Sequence, residues 1–232
     1  MPFLTQLSRV KSYYIRHGLW PTLVRGYRGV FSGTMMLYYC DIAAFRQAPV
    51  LPSGHSVERK RNEAEISSLD LQRYAELWNP VIAKANMRER FGRSASLWLL
   101  QSEGTLVGYG WTLGGGTIEP HFFRLGRRDV HLFDFYVAPA YRGRGLNPLL
   151  VNSVLCHLAL EGCARAFIET PQWNHSQISS LKRTPFHFLG SATKWTLAGR
   201  ATVWWGPAPQ ASYATSDESS KLDESSESLE SS

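Results

Sequence analysis

Cysteine is scarce in this chain: three in 232 residues (Cys40, Cys156 and Cys163), none spaced as a C-x-x-C pair. An odd, scattered set excludes a disulfide framework and a zinc ribbon, and it makes a reducing, cytoplasmic setting the expectation. No apolar run approaches the roughly 20 residues that a spanning helix needs. The opening Met-Pro-Phe-Leu-Thr-Gln-Leu-Ser-Arg also lacks the long apolar centre of a secretory signal. No segment repeats. What is plentiful is apolar and aromatic material, with 44% hydrophobic residues, 8 Trp, 10 Tyr and 11 Phe. That suffices for a sizeable core in one domain of ordinary size plus extensions, and it excludes wholesale disorder.

The formal net charge of +6 hides an asymmetry. Residues 211–232 hold nine Ser, six acidic residues and one Lys, which leaves 24 basic against 13 acidic residues, or +11, over positions 1–210. A tail with so little apolar content does not offset the entropy of ordering, so residues 209–232 read as a disordered acidic extension. The basic remainder suits phosphates of a cofactor, anionic lipid or nucleic acid, and charge alone does not choose among them.

Residues 1–46 read as a basic helical leader followed by a strand over 34–40. Leu4, Leu7, Tyr14 and Ile15 recur at helical spacing among Arg9, Lys11 and Arg16, Gly18 ends that helix, and Pro21 opens another. The leader either packs on its own domain, the preferred reading, or lies on an anionic membrane surface through residues 1–33. Residues 47–54, with two prolines and a glycine, read as a linker. From 55 to 208 the pattern gives a strand at 56–61, helices at 69–78 and 81–91 broken by Asn79-Pro80, and a strand hairpin at 97–101 and 106–113. A doubly apolar strand at 130–137, a helix at 148–161, a strand at 164–169, a short helix at 176–182 and a closing hairpin at 195–197 and 201–205 follow. The sum is an α/β (α+β) domain around a mixed, mostly antiparallel sheet flanked by helices.

Between the doubly apolar strand and the long helix lies Val137-Ala-Pro-Ala-Tyr-Arg142-Gly143-Arg144-Gly145-Leu146-Asn147-Pro148. Two glycines let the backbone bend so that successive N–H groups converge, and the following helix adds partial positive charge, an arrangement suited to a pyrophosphate. Asn147 then Pro148 reads as a helix cap followed by the first helical residue. The segment resembles the cofactor motif of the GCN5-related N-acetyltransferases: a hydrophobic strand, Val137-x-Pro139, then Arg142-x-x-Gly145-x-Asn147. Asn174, Leu181, Phe186 and Gly190 match a second feature of that superfamily, and the resemblance spans residues 55–205.

It implies splayed central strands that admit acetyl-coenzyme A or another acyl-coenzyme A. Phe135, Tyr136 and Val137 would lie along the pantetheine, the backbone of Arg142, Gly143, Arg144, Gly145, Leu146 and Asn147 along the pyrophosphate, and Asn174 along the lower arm. No metal is expected. The implied reaction is acyl transfer to a small-molecule amine, with an amino sugar among the acceptors considered. Direct attack in a ternary complex is expected, since Cys156 and Cys163 fall on or after the helix. No nucleic-acid partner is expected, and a homodimer is compatible with the sequence. The alternative is a non-catalytic acyl-coenzyme A-binding module, because the resemblance puts a Tyr general acid where this chain has Leu181. His175, Tyr141 or a water remain as donors.

An ammonium acceptor must lose a proton before it attacks, and a His or carboxylate suits that task. His131 matches the position where relatives place a base. Asp134 competes, on the face opposite His131 by strand alternation and paired with Arg165 on a structural reading. Glu169, ending the next strand, is the third candidate. Residues 114–128 are expected to form a mobile flap over the acceptor.

Overall fold

The computed structural model describes residues 34–206 apart from 46, 48–49, 78–79, 119–120 and 198–199. The expected helices of residues 1–33 and the acidic tail from residue 209 lie outside the described residues. Among the described residues eight strands share one sheet: β1 (Met35–Asp41), β2 (His55–Lys60), β3 (Ser96–Ser102), β4 (Thr105–Gly114), β5 (Asp129–Val137), β6 (Arg165–Pro171), β7 (His187–Leu197) and β8 (Arg200–Trp205). Their order is β2-β3-β4-β5-β6-β1-β7-β8, and every neighbouring pair is antiparallel except β5 and β6. The helices are α1 (Ser68–Glu76), α2 (Pro80–Gly92), α3 (Leu146–Leu160) and α4 (His175–Leu181). Among the described residues no helix is long and apolar enough to cross a membrane.

Local chemistry explains most of these boundaries. The Ser67 hydroxyl accepts from the Asp70 N–H at 3.0 Å, capping α1. Glu103 and Gly104 both take positive φ, the geometry of a tight turn that matches strand twist, so β3 and β4 form a hairpin. Two parallel strands need a crossover, and α3 supplies it between β5 and β6. Its residues Leu150, Val151, Val154, Leu155 and Leu158 are buried against Trp98, Leu100, Val130 and Leu132 on one face of the sheet. On the other face Tyr74 of α1 and Met87 of α2 cover Leu97, Leu99 and Trp111. Phe122 and Leu125 of the connection before β5 cover Leu37, Phe167 and Leu189. With both faces covered, β4 is buried along most of its length rather than on alternate residues.

Four expectations change. The first strand is not an appendage to a leader: β1 lies between β6 and β7, so residues 47–54 connect two strands of one sheet. The helix after the glycine turn starts at Leu146 with Gly145 at its cap, not with Asn147 as cap. Strand β7 begins at His187, eight residues before the expected closing hairpin, because a bulge opposite Leu37 and Tyr38 breaks the alternation there. Finally, Phe122 and Leu125, in the segment expected to form a mobile flap, are buried.

That connection is also tied electrostatically. Asp129, buried, accepts two bonds from Arg165 at 2.8 and 3.0 Å and one from the Gly126 N–H at 2.7 Å. These bonds join it to both parallel strands at the end where they pair. Arg165 is part exposed, so Asp129→Ala is expected to cost about 2 kcal/mol, a loss of charged hydrogen bonds rather than of a fully buried pair. Urea unfolding of the two proteins measures it.

Candidate active site

Strands β5 and β6 pair only from Asp129–Arg165 to Leu132–Ile168. Beyond that point β6 stays with β1, where Leu37 faces Glu169 and Met35 faces Pro171. Strand β5 stays with β4 out to Val137 opposite Gly108. The strands therefore part after Leu132 and Ile168, leaving the β6-facing edge of residues 133–137 without a strand neighbour.

The parting coincides with a bulge. Asp134 has φ of 55°, left-handed backbone that costs a non-glycine residue about 1 kcal/mol, although Asp tolerates it better than most. The register of β5 on β4 shifts between Tyr109 and Trp111 at the same place. The extra residue reverses the alternation. Phe133 and Tyr136 pack with the α1–α2 side, whereas Phe135 and Val137 pack with the α3 side. Gly110 makes room, since a Cβ there would sit 2.5 Å from the Phe135 ring. Asp134 consequently points towards α2, on the same face as His131 and Phe133. Its partner is Arg90 at 2.6 Å, not Arg165, which serves Asp129. The Arg90 guanidinium also lies over Trp111 and Phe133. Asp134 thus shares the face of His131 instead of lying opposite it, with one of its oxygens bonded to Arg90.

Along the parted edge runs a cavity of about 460 Å³. Phe135, Tyr136, Val137, Arg142, Gly143, Gly145, Leu146, Asn147 and Asn174 line it, together with Tyr141 and Arg183. Arg144 does not: its guanidinium donates to the Ala140 carbonyl and lies over Tyr141. Gly143 and Gly145 hold φ of 77° and 76°, which bends the chain into the turn. None of the N–H groups of residues 143–147 has an acceptor among the described residues. Arg142 braces the turn by donating to the Val137 carbonyl at 3.0 Å. Asn147 reaches α4 instead of the turn, donating to Ser180 Oγ at 2.8 Å, and Asn174 caps α4. Leu181 is buried in the core, so no hydroxyl is offered from that position, whereas Tyr141 puts a phenol on the cavity wall. Arg183 and the serines of α4 on this wall were not anticipated: the α4 pattern is too short to show which side faces a ligand.

At the vertex of the parting, His131 and Glu169 meet. His131 Nε2 lies 2.7 Å from Glu169 Oε2, and both rings of the neighbouring pair His131 and His121 are buried, with centroids 4.9 Å apart. His131 Nδ1 is buried without a partner among the described residues. Burial would raise the Glu169 carboxyl, but the charge and hydrogen bond of His131, with His121 and Lys194, outweigh it and hold the group below its ordinary value. His121 Nδ1 lies 4.0 Å from the same carboxylate oxygen. Burial, with Lys194 and His131 against it and Glu169 in its favour, pushes this histidine down to about 4. Sequence reading missed His121, since nothing in its spacing from His131 marks a shared site. A second cavity, of about 560 Å³, is lined by Gly114–Gly116, His121, Phe123, Arg124 and Arg127.

The three thiols stand apart from this chemistry. Cys40 is pushed up to about 12 by burial and by Asp41, and burial raises Cys156 and Cys163 as well, so none is a ready thiolate.

The sequence matches the acetyltransferase (GNAT) family over residues 63–184. It is 33% identical over 104 residues to a glucosamine 6-phosphate N-acetyltransferase of Trypanosoma brucei brucei, covering 44% of this chain and 61% of that protein. The chain thus spans about three fifths of the length of that relative. Among solved structures, a GNAT-family acetyltransferase from Colwellia psychrerythraea superposes with a TM-score of 0.50 at 12% identity, over 76% of this chain and 57% of that one. A GCN5-related glucosamine N-acetyltransferase region of a fungal multi-domain β-N-acetylglucosaminidase gives 0.51 at 11% identity, over 75% and 22%. At these identities both show the fold.

The histidine environment makes stability depend on pH. A base whose folded pKa is lowered from 6.5 to about 4 binds fewer protons folded than unfolded. Its contribution is complete above pH 6.5 and is lost as pH falls towards 4, by roughly 3 kcal/mol in all. Glu169 adds to the loss only at the acid end, below its ordinary carboxylate range. Urea unfolding between pH 7 and 4.5 is expected to show this slope, and His121→Gln to flatten it.

Proposed function

This chain belongs to the acetyltransferase (GNAT) family, and on that premise we propose that it transfers an acetyl group from acetyl-coenzyme A to the amine of a small acceptor. The observation that carries the reading is the pairing of His131 with Glu169 at the vertex where β5 and β6 part, with unsatisfied turn amides at the other end of the same opening.

Each part has a task that follows from its chemistry. The N–H groups of residues 143–147, at the start of α3, bind the pyrophosphate, with helix polarity in their favour. The free edge of residues 133–137 pairs with the pantetheine amides much as a strand would. This brings the thioester to the vertex. Glu169 accepts the Nε2 proton of His131 and so leaves the lone pair on Nδ1, the atom that has no protein partner. Nδ1 takes the proton from the acceptor's ammonium. The freed amine then attacks the thioester carbonyl, a C–N bond forms, the C–S bond breaks, and the thiolate leaves. With an ordinary thiol pKa near 8.5 it is already a fair leaving group and needs no protein acid. Attack is direct, with no acetyl-enzyme between: burial raises all three thiols, which suits none of them to act as a nucleophile.

The acceptor is an amino sugar with an anionic substituent. The trypanosomal relative acetylates glucosamine 6-phosphate by its name, and Arg124 and Arg127 beside the second cavity suit such a group.

Calorimetry with acetyl-coenzyme A and a rate assay on amino sugars test the proposal. Gly145→Val, which forces a branched residue into left-handed backbone, is expected to weaken acetyl-coenzyme A at least tenfold. His131→Ala is expected to lower kcat by about 10² to 10⁴ with cofactor affinity within twofold. No binding at millimolar acetyl-coenzyme A overturns the proposal. Binding without turnover across a broad amine panel selects a non-catalytic acyl-coenzyme A-binding module instead.

A further inference from the structure

Acyl transfer as proposed uses His131 and Glu169 but gives His121 no task. One ligand atom from each of His121, His131 and Glu169 lies within 4.8 Å of the other two. Both imidazoles converge on one oxygen, Glu169 Oε2, with His131 Nε2 at 2.7 Å and His121 Nδ1 at 4.0 Å. The three come from three separate pieces of chain: the anchored connection before β5, β5 itself, and β6. The two histidine side chains are only 4% exposed and the carboxylate 19%. Sequence reading expected no metal. We infer that His121, His131 and Glu169 form a site for one divalent cation of the zinc class, held in competition with the proton that bridges His131 and Glu169.

Two imidazole nitrogens and a carboxylate are a donor set that zinc accepts, with a fourth position left for water. Ligand atoms must be deprotonated to bind. Burial keeps the His121 lone pair free at neutral pH, and Glu169 is ionised there. Bonds of about 2.0–2.1 Å at tetrahedral angles put ligand atoms about 3.3 Å apart, so the two contacts on Glu169 change by less than about 1 Å and the two imidazoles close by up to about 1.5 Å. His121 also lines the cavity of about 560 Å³, which offers an ion an approach from solvent.

Two features set the strength. The outward nitrogens, His121 Nε2 and His131 Nδ1, have no partner among the described residues, so the outer hydrogen bonds that tighten permanent zinc sites are absent. Lys194 is close enough to act on both His121 and Glu169 and opposes a cation. Both point to an exchangeable ion rather than a structural one.

Occupancy has a consequence that rests on the reading of His131 as the base. A cation on Nε2 moves the one proton of the neutral ring to Nδ1, with no net release. His131 then has no lone pair for the acceptor's ammonium, and acyl transfer stops until the ion leaves.

The full chain, stripped with a chelator, is titrated with zinc chloride by calorimetry, and with Co²⁺ by visible absorption, which reports tetrahedral coordination. One ion per chain is expected, weakened at least about tenfold by His121→Gln and by Glu169→Gln and unchanged by Cys156→Ser. Acetyl-coenzyme A binding by each variant checks that it folds. Zinc is expected to suppress the amine-acetylation rate, a chelator to restore it, and His121→Gln to lift the suppression relative to its own zinc-free rate. Absence of binding at millimolar zinc, or binding indifferent to both substitutions, overturns the site. Zinc held by these residues without loss of rate leaves the site standing and instead sinks His131 as the base.

Discussion

The separation of β5 from β6 is the constraint on which the rest of the molecule depends. Parallel strands that have paired over four residues would continue to pair unless something prevented it, because each unpaired buried N–H or C=O costs on the order of 1–3 kcal/mol. What prevents it is a one-residue bulge centred on Asp134, held in left-handed backbone by a 2.6 Å bond to Arg90. Arg90 is in turn fixed over Trp111 and Phe133, so a helix packed on the sheet dictates where two strands diverge. Charge, cation–π contact and the missing side chain at Gly110 act together at one point, and the opening they maintain is the length of β5 left for a ligand.

The two ends of that opening are electrically opposite. At the α3 end, a turn of glycines presents N–H groups and Arg142 stands beside it, a place for phosphate. At the vertex, a carboxylate shared between two histidines sits among aromatic rings, a place for a proton to change hands. On the proposed reading an acyl thioester would need both ends at once, its anionic part far from the base and only its reactive carbonyl reaching it. Keeping phosphate and base apart also keeps the phosphate charge from altering the histidines.

How legible this was depends on the range of the interactions involved. The glycine turn, the doubly apolar β5 and the apolar α3 were readable because each is set by residues a few positions apart: glycines where φ is positive, a strand covered on both faces, a helix buried nearly all round. His131 is a candidate through the family resemblance, and Glu169 through its place at the end of the next strand. That they form a pair was not legible, since 38 residues and a helix separate them and only strand register brings them to one vertex. Asp134 shows the reverse. Strict alternation placed it on the wrong face, because a bulge leaves no mark in the pattern of residue types and its cause, Arg90, lies on α2.

Sequence by itself determined the fold class, the glycine turn before α3 and the residue types available for proton transfer, since these rest on local backbone preference and on hydrophobic period. The tertiary structure alone decided that β1 sits in the middle of the sheet, that Arg90 and not Arg165 holds Asp134, and that His121 joins His131 and Glu169. Each of those depends on contacts between segments far apart in the chain, and no short-range preference encodes which distant partner a charged or aromatic side chain will meet.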